Sequence, residues 1–178
     1  FEFTVQGFVN IAAPEIQLLA ASGVGQIIDD GDPDFVAVGF TSFSGGGFQS
    51  DTHFAAPGSG SLVASWSFDG LLPGTYRIST TWTEHENRAT NSPFTIHDGA
   101  VSLATIEVNQ ELPPDDFTEV GTVWEDLGFF TIMGPSLVVE VSDDADEFVI
   151  ADAVRIEAMT EILDGSSIDF GSTPLGSA

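Results

Sequence analysis

SLVASWSFDGLLPGTYRISTTW, residues 61–82, decides the fold. From Ser61 to Phe68, the residues Leu62, Ala64, Trp66 and Phe68 share one face, and Ser61, Val63, Ser65 and Ser67 share the other. A period of two belongs to a strand with one buried face, and the apolar set is expected inward. Gly70 and Pro73-Gly74 supply turn residues. Thr75 to Trp82 then puts Tyr76, Ile78 and Trp82 on one face and Thr75, Arg77, Ser79 and Thr81 on the other. The two runs read as a β-hairpin.

The same texture extends in both directions. Gly, Pro, Ser, Thr and Asp recur at strand-length intervals, with short β-rich runs between them and little helical periodicity. Further strands are expected at 27–30, 35–41, 93–97, 101–109, 117–124, 127–132, 136–142 and 147–157. Asp98-Gly99 is a turn between two of them. About ten short strands of this kind predict an all-β fold, a two-sheet jelly-roll β-sandwich.

The 178-residue chain has 28 Asp and Glu against three Lys and Arg, giving a formal net charge of −25. All three cations are arginines: Arg77, Arg88 and Arg155. Phosphates would be repelled, which excludes nucleic acid as a natural partner and disfavours anionic membranes. Such a surface suits high salt or a medium rich in divalent cations. There is no Cys, so disulfides, thiolate metal sites and thiol catalysis are absent. With no Lys, Lys–Asn isopeptide cross-links are excluded too. No apolar run reaches the roughly 18 residues of a membrane helix.

Asp152 is the most informative single residue. The alternation of 147–156 groups it with Phe148, Ile150, Val154 and Ile156 on an otherwise apolar face. A lone buried carboxylate must be paired, metal-bound or protonated. One solution is a structural Ca2+ shared with Asp29, Asp30 or Asp32 of the DDGD loop, because calcium takes several hard oxygens. The others are an ion pair with Arg88 or Arg77, or hydrogen bonds from backbone N–H groups. DDGD lacks the closing Glu of an EF-hand. His53 reads either as part of a binding face or metal site or as a hydrogen-bonded strand residue. His97 is expected to point outward, and Arg155 to face away from Asp152 and pair with a surface acid.

No catalytic set stands out: there is no GxSxG elbow and no P-loop. Glu84, Glu86, Glu125 and Asp126 are adjacent only in sequence, and glycosidase chemistry needs a set spatial separation. They read as surface acids, and the chain as non-enzymatic.

Residues 26–158 resemble the golvesin C-terminal-like domain, also called the xanthan-lyase carbohydrate-binding-like domain. The resemblance is carried by IIDDGDPDF (27–35), Gly45-Gly46-Gly47, SFDGLLPGTYRISTTW (67–82), HENRATNSPFTIHDG (85–99), VNQ (108–110), DFTEVGTVWEDLGFFTI (116–132) and EFVIADAVRIE (147–157). It implies a galactose-binding-like jelly roll, of the kind appended to enzymes or to large bacterial surface proteins, and related jelly rolls often hold calcium. It also implies a carbohydrate site on the loop 82–91, where Trp82, His85, Asn87, Arg88 and Asn91 supply an aromatic platform and planar polar groups. The other reading of that loop has Arg88 neutralising acids and the asparagines satisfying turn backbone.

The two ends differ from the centre. FEFTVQG resembles the last strand of the immunoglobulin-like ASH or choice-of-anchor repeats, and IDFGSTPLGSA resembles the first strand of another. The expected organisation is therefore 1–20, the end of a preceding repeat plus linker; 21–160, the jelly roll; and 161–178, the start of a following repeat. Function is expected to be that of a non-catalytic, extracellular structural or adhesive module of a tandem-repeat bacterial surface or fibre protein. Its partners would be neighbouring repeats or subunits of the same protein, with terminal strands available for donor-strand pairing. The alternative is a carbohydrate-binding module serving a polysaccharide-degrading enzyme.

Overall fold

The structure, a computed structural model, describes residues 19–21 and 25–161. The first strands in chain order are β1 (Leu19–Ala21), β2 (Gln26–Ile28), β3 (Phe35–Val38), β4 (Thr41–Ser44) and β5 (Asp51–Ala55). They are followed by β6 (Val63–Asp69), β7 (Gly74–Thr80), β8 (Ser92–Asp98), β9 (Val101–Val108) and β10 (Phe117–Glu119). The last are β11 (Thr122–Ile132), β12 (Ser136–Ser142), β13 (Val149–Ala151) and β14 (Val154–Glu161). A short 3-10 turn at Phe48–Ser50 is the one helical element among the described residues.

Two large sheets form a β-sandwich. One runs β1-β14-β7-β11-β10, with β2 also on β14; the other runs β3-β6-β12-β8-β9. A small third sheet, β13-β5-β4, lies beside them, and among the described residues every strand pairing is antiparallel. The alternation of 61–68 is realised: Ala64, Trp66 and Phe68 of β6 are buried and join Phe94 and Ile96 of β8 and Leu137, Val139 and Val141 of β12. The other sheet contributes Tyr76, Ile78, Leu127, Ile132, Val154 and Ile156 to the same core. Burying aliphatic and aromatic side chains of this size stabilises by about 1.5–3 kcal/mol each. Trp66 and Phe94 stack at 6.3 Å in the middle of it.

Three expectations about strands are corrected. The runs 61–68 and 75–82 are not a hairpin: β6 and β7 lie in different sheets. The link between them is an arch over the end of the core, with Leu71 buried in it and its N–H donating to Pro135 O at 2.9 Å. A tight hairpin uses two turn residues, and this link carries an apolar plug instead. The run 35–41 breaks at Gly39, whose φ is +79°, and β3 and β4 part into separate sheets. The run 147–157 breaks at Asp152-Ala153, between β13 in the small sheet and β14 in the six-stranded one.

That last break overturns the alternation read there. Every residue from Val149 to Glu157 is buried, so there is no polar face. Arg155, expected to pair with a surface acid, is itself buried and held by Glu119 and by Glu157 at 3.1 Å. Its guanidinium also lies over the Phe117 ring at 5.2 Å.

Near the ends, β1 pairs with the last residues of β14, from Leu19↔Glu161 to Ala21↔Met159. The expected boundaries at 20/21 and 160/161 thus fall inside paired strands. The repeat-like stretches FEFTVQG and IDFGSTPLGSA lie outside the described residues. Among the described residues, no helix is long and apolar enough to cross a membrane.

Candidate functional site

The break between β13 and β14 places Asp152 where three parts of the chain meet. Its carboxylate accepts the backbone N–H of Phe48 at 2.9 and 3.1 Å. Its own carbonyl accepts the indole N–H of Trp66 at 3.2 Å. Of the non-metal solutions open for this buried acid, the backbone hydrogen bond is the one present. Arg77 is instead held by Asp126 at 2.7 Å, and Arg88 lies on another loop.

Asp29 and Asp30 come from the turn after β2 and close on Asp152: one carboxylate oxygen from each of the three lies within 4.8 Å of the others. All three residues are 3% exposed or less. Asp29 Oδ1 and Asp30 Oδ1 are buried without a hydrogen-bond partner. Asp32 is not part of the group. Its carboxylate turns back to accept the Asp29 N–H at 2.9 Å and closes the turn. Gly47 lies against Asp152: an added Cβ would stand 2.8 Å from Asp152 Oδ2 and 2.3 Å from the Asp51 carbonyl.

Burial, reinforced by Asp30, Asp29 and Asp51, pushes Asp152 up to about 8, against the Phe48 N–H that pulls it down. Burial likewise pushes Asp29 up to about 7, with Asp30, Asp51 and Asp32 adding to the rise. Asp30 is raised by burial in spite of the hydrogen bond from His53, whose Nδ1 lies 2.5 Å from Asp30 Oδ2. Three carboxylates this close cannot all be charged in a dry site without a proton or a cation between them. The donor set is hard oxygen, which suits calcium. Asp51, in β5, is the fourth acid of the neighbourhood and carries no motif that would have singled it out. His53 is likewise a strand residue, partnered by Asp30.

The loop 82–91 does not converge as one constellation. Trp82 is buried, with its indole N–H donating to Leu112 O at 2.9 Å, so it is not an exposed platform. Its edge instead lines a cavity of about 230 Å³ shared with Phe48, Pro113, Val123 and Asp152. Asn91 points away and accepts the Asp146 N–H at 2.9 Å. His85 is exposed and accepts the Asn87 N–H at 3.3 Å. Asn87 and Arg88 remain together, joined through Nη1 to Oδ1 at 3.0 Å.

Those two residues line a second cavity, of about 250 Å³, with Phe43, Phe54, Phe148, Thr52 and Ile150. Phe54 and Phe148 meet edge to face at 6.0 Å, and Phe43 is 55% exposed on β4. Four separate chain segments build this wall, so local sequence spacing gave no sign of it. The cavity is concave and mostly apolar, with a few planar polar groups, the usual make-up of a small-ligand site.

The fold is an all-β sandwich, and this cavity opens beside its small sheet. The chain belongs to the golvesin C-terminal domain family, whose profile matches residues 27–158. No curated protein matches it. A Paenibacillus xanthan lyase structure is 26% identical over 75% of this chain, with a TM-score of 0.63; the match spans 13% of the lyase. A family 35 carbohydrate-binding module from Cellvibrio japonicus superposes over 75% of this chain and 92% of its own, at 13% identity and a TM-score of 0.52. A second family 35 module, from an environmental isolate, covers 76% of this chain and 96% of its own at 11% identity and 0.50. At those identities the two modules show the shared sandwich fold.

Proposed function

We propose that this domain is a non-catalytic, extracellular module that binds polysaccharide in the Phe43–Phe54–Phe148 cavity. The observation that carries the reading is the cavity itself: phenylalanine rings for the C–H faces of a sugar, with Asn87 and Arg88 beside them for its hydroxyls. The structural relatives support it, since two of them are carbohydrate-binding modules of the same fold. The site differs from the one expected at Trp82, which is buried.

A structural Ca2+ at Asp29, Asp30 and Asp152 belongs to the same proposal. It would satisfy the two unpartnered oxygens and remove the repulsion within the cluster. The setting in a tandem-repeat surface or fibre protein is supported by the resemblances of FEFTVQG and IDFGSTPLGSA and by the net charge of −25.

Affinity electrophoresis against a panel of soluble plant, algal and bacterial polysaccharides tests the reading. Retardation by at least one polysaccharide is expected, and Phe43→Ala should abolish it without lowering Tm, because Phe43 is half-exposed. Migration unchanged by every polysaccharide, in calcium, sinks the proposal.

A further inference from the structure

We infer that the cavity takes a carboxylate-bearing sugar, a uronate unit whose carboxylate pairs with Arg88. This rests on the polysaccharide-binding reading above.

The chain has 28 acidic residues and three arginines, so each arginine has many acids to choose from. Two have chosen. Arg77 holds Asp126 through Nε at 2.8 Å and Nη2 at 2.7 Å. Arg155 holds Glu119 and Glu157. Arg88 has no acid among the described residues. One of its N–H groups donates to the neutral amide oxygen of Asn87, and its Nε is shielded from water with no acceptor. Burial lowers its pKa, and no carboxylate is near enough to raise it again. A partly desolvated guanidinium without a counter-charge costs free energy that a bound anion would recover.

Its position is fixed independently of any ligand. The Arg88 N–H donates to His85 O at 3.0 Å, and the next residue, Ala89, donates to Phe148 O at 2.8 Å. Arg88 is thereby bridged to Phe148, one of the rings of the cavity. The charge and the aromatic wall are therefore held together by backbone, which limits the ordering cost of binding. A ligand that matches both has an apolar ring face and an anionic group on one carbon skeleton. A uronate has both, and its carboxylate can accept two parallel N–H bonds from the guanidinium fork. The negative surface does not forbid this, since fields reach only about 8 Å at 0.15 M salt.

The test is calorimetry on the 1–178 chain with calcium present. The probes are oligomers of galacturonate, glucuronate and mannuronate, each beside its carboxyl-reduced neutral counterpart, and a sulfated galactan oligomer. At least one uronate oligomer should bind about tenfold or more tighter than its neutral form. Arg88→Gln should erase that difference, so that acid and neutral forms bind alike, and Arg88→Lys should restore part of it. Equal binding of acid and neutral forms, an unaffected Arg88→Gln, or a preference for the sulfated oligomer overturns the uronate inference and leaves polysaccharide binding standing. Binding to no oligomer of either kind removes the polysaccharide reading and this inference with it. Should Arg88→Gln fail to fold, the wild-type comparison of each uronate with its reduced form still decides.

Discussion

The carboxylate of Asp152 accepts the backbone N–H of Phe48 at 2.9 Å, joining residues 104 positions apart at the edge of the small sheet. This bond ties the Gly-rich loop to the strand break and fixes one wall of the carboxylate cluster. What the cluster does to stability depends on the charge it is forced to carry.

The metal-free protein should lose stability as pH rises. Asp152 sits at about 8 in the fold against an ordinary 3.8, and Asp29 at about 7. A carboxyl raised by folding binds its proton more tightly in the native state. Its contribution is full below about pH 4 and is lost as pH climbs through the folded value. In chelator, Tm should therefore fall between about pH 5 and 8, and Asp152→Asn should flatten the fall. A Tm that rises across that range in the wild type contradicts the assignment.

Calcium should reverse this loss. At 100-fold excess over Kd, a ligand specific for the folded state adds about 2.7 kcal/mol, or roughly 5–10 °C in a domain of this size. Differential scanning fluorimetry with calcium and then excess chelator reads the shift. It should vanish in Asp30→Asn and Asp152→Asn and survive in Asp32→Asn, whose carboxylate only closes the turn.

Gly47→Ala should be much worse than Gly45→Ala. Both glycines have positive φ, +84° and +112°, so both substitutions carry backbone strain of about 1–3 kcal/mol. Only at Gly47 would the new Cβ also meet Asp51 O and Asp152 Oδ2, while at Gly45 nothing lies within 4 Å. Urea unfolding should separate them by more than about 1 kcal/mol. Equal losses would mean that the Asp152 side of the loop is not close-packed.

Arg155→Met should cost about 3–5 kcal/mol, because it leaves Glu157 buried without its partner. Arg77→Met breaks a pair that is more open to water on both sides, so it should cost distinctly less. Chemical denaturation of the two variants in parallel gives the comparison.

Strands that face one core were legible as strands. In β6 and β12 the buried residues alternate strictly with half-exposed ones, and a period of two survives in the sequence. Their partners were not legible, because β6 pairs with β3 and β12 rather than with β7, which follows it. Nor does alternation report anything where both sides are covered, which is why Val149–Glu157 gave a false polar face. Asp29, Asp30 and Asp152 could be grouped because a lone acid in an apolar run needs a partner. The Asp30–His53 pair, and the three phenylalanines beside Arg88, come together only through sheet contacts between distant segments.

The placement of Asp152 at the switch between two sheets has a consequence for the order of assembly. β13 must dock on β5, and β14 on β7 and β2, before this carboxylate reaches Asp29 and Asp30. As the chain leaves the ribosome, the first two acids emerge more than a hundred residues ahead of the third. The cluster is therefore completed by the closing strands, and its chemistry begins only when both ends of the domain have met.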